Sequence, residues 1–262
     1  MALTDQQQLE LCVQITGSFE GGTPHYTDLT GNQDGQGLSA GVLQWNAGQG
    51  TLQSLLVNNI APKMGWDKMQ TFFKSDIHHF AMLRGQDAIQ WCLDHYIESG
   101  STHVAAAAAQ CWTAMLGQPE SVAGQVEAAK NWQLMRANKL AAQYAPDFPG
   151  SSRVLAFFFD VVVQEGGMIT QHGSVQPLPA GSDPDCSAAL QLAQANSPHT
   201  QAIWQAATGG DRLARLLLYY GYQRALLGNP TYLWDACSRR GSIACRGGIV
   251  HNTKVDFTSL LD

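Results

Sequence analysis

Two carboxylates in the stretch "SFEGGTPHYTDLTGNQDGQGLSAGVLQWN", residues 18 to 46, have neighbours suited to acid–base chemistry. Glu20 stands directly before Gly21-Gly22, and Asp34 lies inside "GNQDGQG", where Asn, Asp and three Gly within seven residues predict a tight turn between short strands. A carboxyl at the buried end of a helix is partly desolvated and meets the negative end of the helix dipole, and both effects favour its protonated form. A carboxyl in a solvated turn, close to backbone N–H groups, is favoured as the anion. Two acids biased to opposite protonation states are what hydrolysis of a glycosidic bond uses: one protonates the departing oxygen, and the other activates water or stabilises the positive sugar ring. Taken singly, a Glu before Gly-Gly and an Asp before Gly are also ordinary cap and turn residues.

The elements that must position these acids are legible in outline. Thr4 with Gln7 three residues on has the spacing of a capping box, and Gly21-Gly22 is a stop signal, so a first helix is expected to end at Glu20. At about 100° per residue Leu9, Val13, Thr16 and Glu20 share one stripe, which places the Glu20 carboxyl at the end of the buried face. Apolar residues at three- and four-residue steps predict further helices over 51–59, 85–99, 102–116, 120–145, 151–164, 186–196 and 210–227. Only 26–45 resembles sheet, while 145–152 and 171–185 are Pro/Gly/Ser/Asp-rich loops. The layout is α+β and mostly helical: a single domain over 1–262, with a small front lobe carrying the sheet over about 1–62 and a larger helical lobe over about 63–262.

Composition narrows the function classes. The chain has 262 residues, a formal net charge of −6 and no run of Lys or Arg, which argues against a grip on nucleic acid or on an anionic membrane. Apolar runs such as "VLAFFFDVVV" are too short to span a bilayer, so no membrane insertion is expected, and "MALTDQQQLELC" lacks the basic start and apolar run of a signal peptide. Six cysteines are too few and too dispersed for a disulfide scaffold; Cys237 and Cys245 flank a short basic loop, "SRRGSIA", and could close it in an oxidising compartment. Thr30, Asn32 and Asp34 imitate the first half of a calcium loop, but the twelfth position, where an acid is required, is Gly41. His78-His79 and Cys92 with His95 come without HExxH or a paired CxxC, no GxSxG is present, and "GQGLSAG" has no phosphate-loop Lys. The expectation is therefore no metal and no cofactor.

"SFE" closing a first helix, followed by "DGQGLSAG", resembles the catalytic segment of the glycoside hydrolase family 46 chitosanases in the lysozyme-like superfamily. The resemblance implies a two-lobed lysozyme-like fold with a small sheet beside the glycan groove. It implies Glu20 as general acid, Asp34 as general base and Ser39, where those enzymes have Thr, as a residue holding the attacking water, with inversion at the anomeric carbon. Asp28 is the first alternative for the second carboxylate. "LAFFFDVVVQEGG" at 155–167 resembles the aromatic-Asp helix of the helical lobe, and "SRRGSIACRGGIVHN" resembles the tail of related cell-wall hydrolases.

The sequence departs from the chitosanases at Gln36, where they have Arg, at Leu38, where they have Tyr, and in "VLQWN". "SAGVLQW" is similar instead to the stretch of goose-type lysozymes and lytic transglycosylases whose Gln lines the peptidoglycan groove. The longer variant resembles muramidase-type domains of bacterial cell-wall hydrolases and type VI secretion effectors. That resemblance implies hydrolysis of the β-1,4 MurNAc-GlcNAc bond, with Gln44 lining the groove; Tyr26 and Trp45, beside the proposed site, are the two aromatics expected near sugar rings, and Gln36 is also expected to touch substrate. The resemblance implies peptidoglycan strands as partner, with an immunity protein or secretion carrier beside them, and delivery to the periplasm or cell wall of a target bacterium. A true chitosanase and a catalytically silent glycan-binding module are the two alternatives.

Overall fold

The computed structural model describes residues 4–19 and 26–262. These divide into two compact units, one formed by 26–131 and the other by 4–19 with 132–262. The expected lobe boundary near 62 lies inside the first of these.

The 26–131 unit carries the expected sheet, in the antiparallel order β1 (Leu29–Thr30), β2 (Ser39–Ala40), β3 (Trp45–Asn46). Register pairs Thr30 with Ser39 and Ser39 with Asn46, while Ala40 faces Leu29 on one side and Trp45 on the other. The strands are two residues long and depend on neighbours for rigidity. Gly31 supplies one such contact: a Cβ there would lie 2.0 Å from the carbonyl oxygen of Thr102, so only glycine lets the backbones meet. Gln125, fully buried, supplies another by donating to the Tyr26 carbonyl at 3.1 Å and accepting from the Val42 N–H at 3.1 Å. Helices Thr51–Leu55, Ile77–Met82, Gly85–His95, Ala106–Leu116 and Pro119–Ala128 build the rest of this unit with shorter turns between them. Its core is an edge-to-face cluster of Phe73, Phe80, Tyr96 and Trp112.

In the other unit helix Asp5–Ser18 begins with the expected capping box, and Leu9, Val13 and Thr16 are buried as the stripe requires. Helix Ser152–Glu165 is the centre: every residue from Arg153 to Val162 is buried, and the helix packs against Asp5–Ser18, Met135–Tyr144 and Leu233–Ala244. Phe157, Phe158 and Phe159 are all fully enclosed, each contributing about 1.5–3 kcal/mol of burial. Helices Ser187–Asn196, Pro198–Thr208 and Arg212–Leu226 complete the helical layer. Two hairpins join them, β4 (Ile169–Thr170) with β5 (Gly173–Ser174) and β6 (Gly247–Val250) with β7 (Thr253–Asp256).

Three features correct the sequence reading. Sheet is not confined to 26–45, since the β6–β7 hairpin turns at His251-Asn252, both left-handed at φ 49° and 63°, a turn matched to strand twist without an Asn-Gly signal. The run 120–145 is not one uninterrupted α-helix: Pro119–Ala128 and Met135–Tyr144 flank a π-helical turn at Ala129–Leu134. Cys237 and Cys245 are free thiols. The stretch expected as a loop between them is helix instead: Cys237 lies within helix Leu233–Ala244 and Cys245 caps its end, so eight residues of helix hold them about 12 Å apart, beyond disulfide reach.

Candidate active site

Asp34 sits at the tip of the β1–β2 turn and is exposed. Its Oδ1 accepts the Gln36 backbone N–H at 3.0 Å, and Asn32 Oδ1 accepts the Gly37 N–H at 2.7 Å, so two side chains fold the turn on itself. Gly35 and Gly37 take φ of 76° and 82°, which side-chain-bearing residues avoid. The turn is tied to the segment after β3, where Ala47 N–H donates to the Leu38 carbonyl and Gly48 N–H to the Gln36 carbonyl, both at 2.9 Å. These bonds hold a solvated carboxylate on a turn fixed at its backbone.

Ser39, half-buried on β2, accepts a 2.9 Å hydrogen bond from Asn46 Nδ2 on β3. Gln36 is half-buried with its amide oxygen over Gly48, where a Cβ would come within 2.6 Å of it. Tyr26 is half-buried and its carbonyl is the one held by Gln125. Asp28 is half-buried and its carbonyl receives the Gly41 N–H at 2.8 Å.

Two of the expected substrate contacts take a different character. Gln44 adopts φ 51°, its Nε2 donates to the Gly41 carbonyl at 3.0 Å, and its Oε1 is enclosed, so the amide closes its own turn. Trp45 is only 6% exposed, its ring packed where Gly41 leaves room. That is a core position, and it offers no open face for a sugar ring.

Glu20 lies outside the described residues, as does the Gly21-Gly22 stop. The residue before it is held closely: the Phe19 ring meets Phe257 edge-on at 5.7 Å and lies under the Arg239 guanidinium at 4.7 Å. Its carbonyl contacts His251 Nδ1 at 3.0 Å, and the other ring nitrogen of His251 meets Asp235 Oδ1.

Sequence reasoning did not find the charged cluster beneath this point. Asp160, fully buried on Ser152–Glu165, accepts from Arg239 at 3.0 Å and lies 3.9 Å from Arg240 Nε, while Glu165 pairs with Arg240 at 2.5 Å and Arg224 at 3.1 Å. The available signal was an Asp within "FFFDVVV", where an unpartnered acid would be costly, followed by the adjacent arginines of "SRRG".

Burial pushes the Cys92 thiol up to about 12, against a small opposing effect from the Leu38 backbone, and burial pushes Cys237 to about 12 as well. No cluster of His, Cys, Asp and Glu suited to a metal occurs among the described residues.

No protein-family model matches the sequence, and no curated protein matches it. Solved structures do. A chitosanase determined as a complex is 14% identical, with a TM-score of 0.52 over 94% of this chain and 95% of that one. The native chitosanase of Bacillus subtilis MY002 is 16% identical, with a TM-score of 0.50 over 93% and 88%. The fold is the lysozyme-like fold of the chitosanases. A glycoside hydrolase family 46 chitosanase of Gynuella sunshinyii, solved with chitotetraose, is also similar, at 17% identity and a TM-score of 0.49 over 92% and 86%. Helices dominate and the sheets are small and antiparallel, as the α+β reading requires. At these identities the likeness establishes fold, and the chemistry must be argued from the residues.

Proposed function

We propose that the protein is an endo-acting glycoside hydrolase that cleaves β-1,4 bonds of an amino-sugar polymer, with chitosan the better supported substrate. The observation that carries this reading is the Asp34 turn: a solvated carboxylate, pinned at its backbone, projecting from the small sheet of a chitosanase-type fold. In the proposed reaction the Glu20 carboxyl gives its proton to the glycosidic oxygen as the bond from that oxygen to C1 breaks. Asp34 takes a proton from a water that Ser39 helps to hold, and the water oxygen bonds C1 from the opposite face, inverting its configuration.

Two further points favour chitosan. The chain carries a net charge of −6, which suits a cationic polymer better than anionic peptidoglycan. Gln44, the residue on which the peptidoglycan comparison turned, spends its amide on the Gly41 carbonyl.

Peptidoglycan remains a second reading, favoured by the absence of Arg at Gln36, with which the chitosanases would meet their substrate. With it go the proposals of export by a dedicated secretion system, action in a target cell wall and a matching immunity protein. Incubation with chitosan and, separately, with purified sacculi decides. Chito-oligomers of inverted configuration are the expected product; soluble muropeptides would move the substrate to peptidoglycan, anhydromuropeptides would remove the hydrolytic role of Asp34, and binding without new reducing ends would remove catalysis.

A further inference from the structure

The side chain opposite Ser39 in the sheet is Asn46, only 5% exposed, and its orientation is fixed. Asn46 Oδ1 accepts the Gln49 backbone N–H at 3.0 Å, so the amide end that reaches Ser39 Oγ at 2.9 Å is the NH₂ group, which only donates. The Asn46 backbone is held as well: its N–H donates to Thr51 Oγ1 at 2.7 Å, and that hydroxyl donates to the Asn46 carbonyl at 3.2 Å. A serine hydroxyl has one proton and two lone pairs. Asn46 occupies one lone pair and offers no acceptor, so the Ser39 O–H is directed away from Asn46.

We infer that Asn46 is a positioning residue for the proposed hydrolysis: it presents the Ser39 hydroxyl outward with its proton and one lone pair available to the attacking water. This rests on the reading of Asp34 and Ser39 as the water-activating pair. Its partner residue is chosen for polarity, since Thr or Asp at 46 could accept from Ser39 and draw the hydroxyl proton inward. The rigid Asn46–Thr51–Gln49 lattice then serves to hold one hydroxyl orientation at low entropic cost.

The test compares kcat and KM on whichever polymer the parent cleaves, for Asn46→Asp, Ser39→Ala and the double variant, each checked for a parental circular dichroism spectrum and melt. Asn46→Asp keeps the shape, lets a carboxylate oxygen accept the Ser39 O–H, and should lower kcat about 10- to 100-fold with KM unchanged. Ser39→Ala should fall in the same range, and the double variant should be no worse than the poorer single one, because both act on one hydroxyl. If Asn46→Asp does not fold, Asn46→Ala, which removes the donor without adding an acceptor, carries the same comparison. Unchanged kcat in the folded Asn46 variant, or losses that multiply in the double variant, overturn the positioning role while leaving the hydrolase reading in place. A parent inert on both chitosan and sacculi overturns the reaction, and this role with it.

Discussion

Removing the Asp160 carboxylate should be among the most destabilising single changes in the chain. Asp160 is fully buried between Arg239, at 3.0 Å, and Arg240, at 3.9 Å, and Arg239 is in turn stacked over Phe19. Asp160→Asn keeps the volume and removes the charge, so Arg239 loses the carboxylate it donates to at 3.0 Å, while Arg240 keeps its pair with Glu165. Breaking a buried pair by removing one partner costs about 3–5 kcal/mol, because the remaining charge loses a contact that water cannot reach to replace. At about 2–4 °C per kcal/mol for a chain of this size, the melting temperature should fall by roughly 6–20 °C. Urea titration followed by circular dichroism measures the change in free energy, and calorimetry measures the shift. Salt is a useful control: a buried pair is weakly screened, so the difference between parent and variant should persist from low to high ionic strength. Removing charge from both sides in Asp160→Asn with Arg239→Gln should cost less than the sum of the two single changes, since both changes remove the same ion pair. A loss under about 1 kcal/mol for Asp160→Asn, or strict additivity in the double variant, would refute the claim that these charges depend on one another.

Three further predictions concern the site, the pH range and the thiols. Glu20→Gln and Asp34→Asn should each fold normally and lose about 10² to 10⁴ in kcat, and external azide should partly restore Asp34→Asn by entering from the face of the missing base; full activity of Glu20→Gln would remove the mechanism. Burial pushes the Asp211 and Asp262 carboxyls up, but hydrogen bonds to Arg153 and backbone N–H for Asp211, and to Ser152, Arg153 and Ser151 for Asp262, outweigh it and leave both below the usual range. Their stabilisation is then complete above the unfolded aspartate value of about 4 and lost as pH falls through the lower folded values, so melting temperature should drop below about pH 4, less steeply in Arg153→Gln. Because burial raises the Cys12, Cys92, Cys186, Cys237 and Cys245 thiols, a thiol reagent at pH 8 should label the half-buried Cys111 in the native protein and all six cysteines after unfolding; rapid native labelling of Cys92 would contradict the burial argument.

Local chemistry written within a few residues was legible in the sequence. The Thr4/Gln7 capping box, the helix stripe through Leu9, Val13 and Thr16, and the Asp34 turn between short strands all depend on contacts between near neighbours, and all are found. Helix Leu233–Ala244 was not legible, because its inward face carries Ser238, Arg239, Arg240 and Ser242, and a helix that buries arginines shows no apolar stripe. Only tertiary structure makes such a face stable, by bringing Asp160 and Glu165 from about 75 to 79 residues earlier in the chain against it. The same holds at the site. The sequence names Ser39, Gln44 and Trp45 as polar and aromatic groups near a turn, but it cannot say which way each points. Register opposite Asn46 sets the Ser39 hydroxyl to accept from the Asn46 amide, a left-handed φ folds Gln44 back on Gly41, and the space left by Gly41 draws Trp45 into the core. In a sheet of two-residue strands a shift of one position would reverse the directions of these strand side chains, and Thr102 and Gln125, far along the chain, pack against the residues flanking β1 and β2.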